Sequence, residues 1–304
     1  MESPLAARSQ ERSPPMKQSD RKALAIFPVV LLIGALLALA GSSDGSFIGA
    51  LPTFTLAVAA AIAIQWIVFI PSFLNQTEKF YDITGTLTYV SITVMILLVT
   101  PELDARSLVL GALVLVWTLR LGIFLFRRIG KAGKDDRFDA LKPSFVRFLN
   151  VWTIQGLWVT FTAAAAWVAM TSGKSVPLDG FALVGFVLWV LGFGMEIIAD
   201  QQKSRFNADP ANSGKFISTG LWSVSRHPNY FGEILLWIGV AIIAFPALEG
   251  WQNLALISPV FVILLLTKVS GVPLLEKKAE SKWGGQADYE AYKGKTPVLL
   301  PKFF

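Results

Sequence analysis

The sequence contains no cysteine and a single histidine, and this shortage removes several kinds of chemistry. Without cysteine there can be no disulfide, no thiolate metal ligand and no cysteine nucleophile. Zinc and haem sites need several His or Cys ligands, so we expect no metal. Charge is scarce as well, because only 16% of the 304 residues are charged, against about 25% in soluble domains. This composition excludes an ordinary soluble domain.

The chain contains long apolar stretches, and hydrophobic residues make up 54% of it. Each stretch is about as long as a helix must be to cross roughly 30 Å of hydrocarbon. They occupy residues 24–40, 47–70, 83–99, 107–126, 149–170, 180–199, 231–247 and 254–275. The sequence therefore predicts an all-α fold, a polytopic membrane helix bundle with about eight transmembrane helices.

The apolar stretches also divide the chain. Residues 1–22 are polar and contain prolines, so we interpret them as a disordered tail. Residues 23–275 form the transmembrane domain, and 276–304 form an interfacial C-terminal segment. The first apolar run begins late and is long, unlike the short core of a signal peptide, so we expect it to be retained.

The distribution of lysine and arginine predicts the orientation in the membrane. Of the 27 basic residues, 23 fall in the two termini and in alternate connections between spans. Basic residues accumulate on the cytosolic side of membrane proteins, so both termini are predicted to be cytosolic. Topology thus explains the basic pI of about 9.5, and we expect no nucleic-acid partner.

A polar stretch, SVSRHPNYFGEI at 223–234, stands directly before the seventh span. Pro228 is predicted to start the helix, because proline favours the first helical position. Arg226 and His227 then lie just outside it. A helix start offers free N–H groups that suit phosphate, and arginine adds a planar fork of donors.

Asn229 and Glu233 of this stretch are four residues apart and share one helix face. Glu233 is predicted to lie about one turn into the membrane, where ionisable residues are costly and usually functional. The alternative is that these polar residues only lie at the membrane–water interface. In that reading Arg226 and His227 extend to lipid headgroups, Tyr230 belongs to an aromatic belt and Glu233 pairs with a neighbour.

A second polar group ends the sixth span, in MEIIADQQKSRF. Glu196, Asp200 and Lys203 are spaced by four and three residues, which places them on one helical face. Glu196 directly follows an apolar run and needs a partner. Arg120, inside the fourth span, is the predicted partner in a buried ion pair, or else a cofactor contact. Extension of these side chains to the membrane surface is the alternative.

Two weaker candidates complete the set. Tyr81 and Asp82 stand at the entry of the third span, where Asp82 with Thr84 could either cap the helix or belong to a site. Glu276 is the last residue of SGVPLLE, at the predicted end of the last span, and is placed at the interface.

GLWSVSRHPNYFGE, the preceding EIIADQQK and the Y-x-x-Y followed by TPVLLPKFF resemble the steroid 5-alpha-reductase family. FYDITG, WTLRLG and SGVPLLE are similar to its uncharacterised bacterial-type branch, which implies a bacterial inner membrane. The resemblance covers about residues 65–304. It implies a seven-helix core, to which the first span is an addition, and NADPH entering from the cytosol. The implied reaction reduces a carbon–carbon double bond conjugated to a ketone.

The resemblance also implies roles for individual residues. Asp200, Asn229 and Glu233 match the family's contacts to the ribose or nicotinamide amide, and Glu196 stands where the steroid enzymes have asparagine. Arg226 and Lys203 would hold phosphate groups beside the start of the seventh span. The remaining candidate cofactor contacts are Arg120, His227, Tyr230 and Glu276.

Two departures from the family affect the substrate side. The family's proton donor is a tyrosine three residues before an arginine, and here that position is Trp117, which cannot donate a proton. The Gln-Glu pair before Leu-Pro-Ser is also replaced, since Val68 and Phe69 precede IPSF. We therefore predict Tyr81 or Asp82 as the catalytic acid and a lipid-like substrate other than a steroid.

Two other functions stay open. RHPxYxG followed by a buried glutamate is similar to isoprenylcysteine and phospholipid methyltransferases, which use S-adenosylmethionine. Glu196, Asp200 and Glu233 would suit its positive sulfonium, and Arg226 would bind its carboxylate. The third possibility is a non-catalytic lipid-binding protein that kept the fold, which Trp117 at the donor position leaves open.

Overall fold

A computed structural model describes residues 17–101, 103–132 and 135–302, and of residues 126–132 only the backbone. Within these ranges, eight helical segments are long and apolar enough to cross a membrane. The protein is thus an integral, multi-pass, all-α membrane protein, as predicted. Most of the expected disordered tail, residues 1–16, lies outside the described residues. Its last part is helical, because the first helix begins at Gln18.

The helices and strands follow one another in a simple order. The bounds are α1 Gln18–Gly41, β1 Phe47–Ile48, β2 Leu51–Pro52, α2 Thr53–Leu74, α3 Tyr81–Val99, α4 Ala105–Ala132, α5 Phe145–Thr171, α6 Gly180–Ala208, α7 Pro228–Ala244, α8 Ile257–Leu264, α9 Gly271–Trp283 and α10 Ala287–Lys295. The strands form an antiparallel hairpin with Phe47 opposite Pro52. The second span therefore begins at Thr53 rather than at residue 47.

The last span differs most from its prediction. A π turn, Leu265–Val269, separates α8 from α9, which runs on to Trp283. Pro273 explains the break, because it has no N–H to bond the carbonyl four residues earlier. Glu276 therefore lies within a helix that continues the last span to Trp283.

The central helix of the bundle is α5. It contacts α1, α2, α3, α4, α7 and α8, and 83% of its most apolar window is buried inside the protein. Its run of four alanines, Ala163–Ala166, is completely buried. Small side chains let neighbouring helices approach closely, which is the usual basis of helix packing in membranes.

Glycines bring α6 and α7 together along their length. A Cβ on Gly192 would lie 2.5 Å from the carbonyl oxygen of Gly232. A Cβ on Gly185 would lie at the same distance from the carbonyl oxygen of Gly239. Close helix packing thus explains these two glycines of α6. Gly180 and Gly194 on the same helix take no part in it, because a Cβ there would meet none of the described residues within 4 Å.

Polar contacts attach α1 to the bundle. The Asn150 amide donates to the carbonyl oxygen of Ala23 at 2.6 Å. Asp20 accepts a hydrogen bond from Ser144 at 2.8 Å and pairs with Arg147 at 3.0 Å. The first span is therefore held to α5 at one end by side chains that are at least partly buried.

Candidate functional site

Three helices bring charged side chains together at the end of the bundle where α7 begins. Arg120 comes from α4, Glu196 and Asp200 come from α6, and Asn229 and Glu233 come from α7. Pro228 is the first residue of α7 and His227 is its N-cap, as the sequence predicted. The close approach of α6 and α7 at Gly192 and Gly232 leaves their polar ends side by side. We call these five residues the charged cluster.

Arg120 is the centre of the charged cluster. Its two terminal nitrogens reach Glu196 Oε1 at 2.6 Å and Asp200 Oδ2 at 2.5 Å. Asn229 Nδ2 donates to Asp200 Oδ1 at 3.1 Å. Glu196 is 3% exposed and Asp200 is 7% exposed, so both carboxylates need a cation. The predicted buried ion pair between Arg120 and Glu196 is confirmed.

The charged cluster still has unused hydrogen-bond acceptors. Glu196 Oε2 and Asn229 Oδ1 are buried and have no partner among the described residues. Glu233 lies within range of the charges of Arg120 and Asp200, but forms no ion pair or hydrogen bond with another described residue. With three carboxylates and one guanidinium, the cluster is an acceptor-rich site that a molecule carrying N–H or O–H donors would complete.

A groove of about 530 Å³ opens between α4 and α6 beside the charged cluster. It is lined by Arg120, Ile123, Phe124, Ile197, Asp200, Gln201, Ser204 and Arg205. Apolar side chains and polar ones both contribute, and Arg205 is exposed. The groove therefore joins the apolar surface of the bundle to the ion pair of Arg120.

The remaining residues of the polar stretch form a second cluster around Glu276. Arg226 pairs with Glu276 at 2.9 Å, and His227 Nε2 lies 2.7 Å from the other carboxylate oxygen. The His227 ring stacks on that of Tyr230, with centroids 5.7 Å apart. The N–H of Arg226 donates to the carbonyl of Pro297 at 2.9 Å. These residues thus tie α7 to α9 and to the C-terminal segment.

Lys203 follows the charged cluster along α6. Its ammonium lies over the ring of Trp222, 4.4 Å from the centroid, and within range of the charge of Asp200. The indole N–H of Trp222 donates to the carbonyl of Ala199 at 3.0 Å. Lys203 therefore stays next to the charged cluster, as its spacing predicted.

Tyr81 and Asp82 do not join the charged cluster through any contact of the described residues. The hydroxyl of Tyr81 donates to the carbonyl of Val151 at 3.2 Å, and its ring packs on Phe138 and Trp152. Tyr81 thus belongs to a separate aromatic group near the start of α5. Phe80 is the N-cap of α3, without a side-chain cap, so the capping role of Asp82 is wrong.

Sequence reasoning missed Tyr89, which the structure places beside Trp117. Their rings meet edge to face with centroids 5.4 Å apart. Trp117 in turn meets Trp237 of α7 edge to face at 4.9 Å. The indole N–H of Trp117 lies near Glu196 without reaching hydrogen-bond geometry. A polar tyrosine in the middle of an apolar span was the one signal in the sequence.

The family described as "Protein of unknown function (DUF1295)" matches residues 68–296. The chain belongs to the DUF1295 family. The match includes every residue of both clusters and starts within α2, so α1 precedes the part shared with this family.

Two named proteins are similar to parts of this chain. An uncharacterised protein of Schizosaccharomyces pombe (C594.04c) is 25% identical over 65% of this chain and 64% of its own length. A protein of Ustilaginoidea virens with the name "Probable O-methyltransferase ustE" is 28% identical over 26% of this chain and 28% of its own length. The chain thus spans less than two thirds of either relative. No solved structure matches it significantly.

Proposed function

We propose that the protein is a membrane-embedded oxidoreductase that reduces a conjugated carbon–carbon double bond in a lipid-like substrate with NADPH. The observation that carries the proposal is the convergence of Arg120, Glu196, Asp200, Asn229 and Glu233 at the start of α7. The likeness of this stretch and of EIIADQQK to steroid 5-alpha-reductases supports NADPH as the cofactor.

The unpaired atoms of the charged cluster fit the polar parts of such a cofactor. A ribose or a nicotinamide amide offers O–H and N–H donors, and Glu196 Oε2 and Asn229 Oδ1 have no such donor among the described residues. The groove between α4 and α6 offers Arg205 for phosphate. Arg226 is engaged with Glu276, so its part would be to hold the start of α7 in place.

When bound, NADPH supplies the hydride, and the protein supplies position and charge. The charged cluster holds the cofactor at the end of the bundle, where α7 starts. An apolar substrate would come from the bilayer, so the two molecules would meet inside the bundle. An acid near the substrate carbonyl then provides the proton that the reduction needs.

The orientation of the protein in the membrane is part of the same proposal. The excess of lysine and arginine in the termini and in alternate connections places the charged cluster at the cytosolic side. NADPH would enter from the cytosol, and the resemblance to the bacterial-type branch favours a bacterial inner membrane.

A second candidate is an S-adenosylmethionine-dependent methyltransferase. One specific observation favours it, since the charged cluster holds three carboxylates for a single guanidinium. This excess of negative charge suits a sulfonium cation better than a diphosphate. The similarity of one stretch to a probable O-methyltransferase points in the same direction.

Thermal unfolding of the purified protein in detergent separates these candidates. A ligand that binds only the folded state stabilises it by about 2.7 kcal/mol at a hundredfold excess over Kd. We expect NADPH and NADP⁺ to raise the melting temperature, and S-adenosylmethionine to leave it unchanged. Glu233→Gln should abolish the NADPH shift, while Glu280→Gln, an exposed control on α9, should keep it.

Other changes in the melting temperature would contradict the proposal in different ways. A shift with S-adenosylmethionine alone would replace the reductase by the methyltransferase. No shift with any of the three ligands at saturation would favour a non-catalytic lipid-binding protein. A full NADPH shift in Glu233→Gln would place the cofactor elsewhere in the molecule.

A further inference from the structure

Aromatic side chains form a second layer one helical turn deeper in the bundle than the charged cluster. Trp117 precedes Arg120 by three residues on α4, and Trp237 follows Glu233 by four on α7, so each pair shares a helix face. Tyr89 of α3 completes this aromatic layer through its contact with Trp117. Two different helices thus place a charged residue at the end and an aromatic one further in.

The aromatic layer holds hydrogen-bond donors without acceptors. The Tyr89 hydroxyl and the indole N–H groups of Trp117 and Trp237 are buried and unpaired among the described residues. Thr162 Oγ1 lies near the Tyr89 hydroxyl but outside hydrogen-bond geometry. A buried polar group without a hydrogen-bond partner lowers the stability of the folded protein. A ligand with an acceptor atom would remove that cost.

We infer that the aromatic layer is the binding site for the carbonyl end of a planar, apolar substrate, and that Tyr89 donates the hydrogen bond to its oxygen. The rings of Trp117 and Trp237 would pack against the conjugated part of the molecule. The three side chains are buried in the apolar interior of the bundle, which suits the apolar body of a lipid-like molecule. The charged cluster, one turn away, remains for the water-soluble cofactor.

The inference deepens the proposed reductase, and its chemical step rests on that function. Tyr89 would give its proton to the carbonyl oxygen as that oxygen gains electrons, while bound NADPH would supply the hydride that the β carbon of the enone takes up. The resulting enol would become the ketone when a proton moves from oxygen to the α carbon. Glu233, which lies within electrostatic range of Tyr89, would have to be protonated to return a proton to the tyrosinate, and it would regain that proton from water.

Benzylideneacetone, a planar apolar enone, is a suitable probe. With an isotope-labelled carbonyl, its infrared stretch reports the hydrogen bond directly and requires neither NADPH nor turnover. We expect the stretch of the bound probe to move to lower frequency in the wild type and to lose that shift in Tyr89→Phe. Tyr292→Phe is the control, because the Tyr292 hydroxyl already donates to the carbonyl of Trp222 at 2.7 Å.

Turnover provides the second measurement. Oxidation of NADPH with the same probe should fall by about a hundredfold or more in Tyr89→Phe, as expected for loss of a general acid. NADPH should still raise the melting temperature of this variant, since the charged cluster is intact. Tyr292→Phe should stay within about twofold of the wild type.

The outcomes separate this inference from the proposed function. A probe that does not bind, or a carbonyl shift that persists in Tyr89→Phe, would overturn the assignment of the aromatic layer. A Tyr89-dependent carbonyl shift without any NADPH binding would support the site and reject the reductase. Wild-type turnover in Tyr89→Phe would keep the reductase and remove Tyr89 as the acid.

Discussion

Arg120 offers the sharpest test of the charged cluster, because one side chain neutralises two buried carboxylates. It approaches Glu196 at 2.6 Å and Asp200 at 2.5 Å, and both acids are less than a tenth exposed. Removal of one partner from a buried ion pair costs about 3–5 kcal/mol. The Arg120 side chain is 17% exposed, so water reaches the site and the lower value applies.

We therefore expect Arg120→Gln to lower the free energy of unfolding by about 3 kcal/mol. Far-UV circular dichroism during titration with sodium dodecyl sulfate measures this quantity in mixed micelles. Arg205→Gln is the control, since Arg205 lines the same groove but is exposed. It should change stability by less than about 0.5 kcal/mol.

A rescue variant distinguishes lost charge balance from lost packing. Arg120→Gln combined with Glu196→Gln removes one of the uncompensated carboxylates, so it should be more stable than Arg120→Gln alone. Equal unfolding of Arg120→Gln and Arg205→Gln would refute the reasoning, because it would mean that the two acids need no cation. Failure of the rescue would assign the loss to packing.

Two further predictions concern helix packing and pH. Gly192→Ala should destabilise the protein by about 1–3 kcal/mol, because its Cβ would meet the backbone of Gly232 at 2.5 Å. Gly194→Ala on the same helix is the control, because its Cβ would meet none of the described residues within 4 Å. Equal stability of the two variants in the same titration would contradict close packing of α6 and α7. Burial raises the pKa of Glu78, but hydrogen bonds from Lys142 and the Asp135 N–H outweigh it and hold the pKa below 4.5. A lowered pKa stabilises the folded state above the unfolded value, and this contribution is lost as pH falls through the folded pKa. The stability advantage of wild type over Glu78→Gln should thus shrink below about pH 4.5, and a constant difference would contradict the ion pair.

Several features of the site could be predicted because they depend on one segment at a time. Hydrophobic length defined eight spans, and proline at 228 marked the start of α7. Spacing along a helix put Glu196 and Asp200 on one face. The pairing of Arg120 with Glu196 was predictable as well, since a buried carboxylate needs a cation and this span offered one.

Other features depend on which segments meet, and the sequence pattern does not contain that information. Tyr81 and Tyr89 both lie on α3, yet the Tyr81 hydroxyl is bonded to Val151, whereas the Tyr89 hydroxyl, beside Trp117, has no partner among the described residues. The choice follows from how α3 packs against α4 and α5.

The sequence by itself determined the membrane class, the number of spans and the polar residue types near the start of α7. Tertiary structure alone decided that α6 and α7 touch at Gly192, that Glu276 holds Arg226 and that an aromatic layer lies beneath the charged cluster. The physical reason is that periodicity reports the faces of a single helix. Contacts between helices depend on the shapes of side chains far apart in the chain.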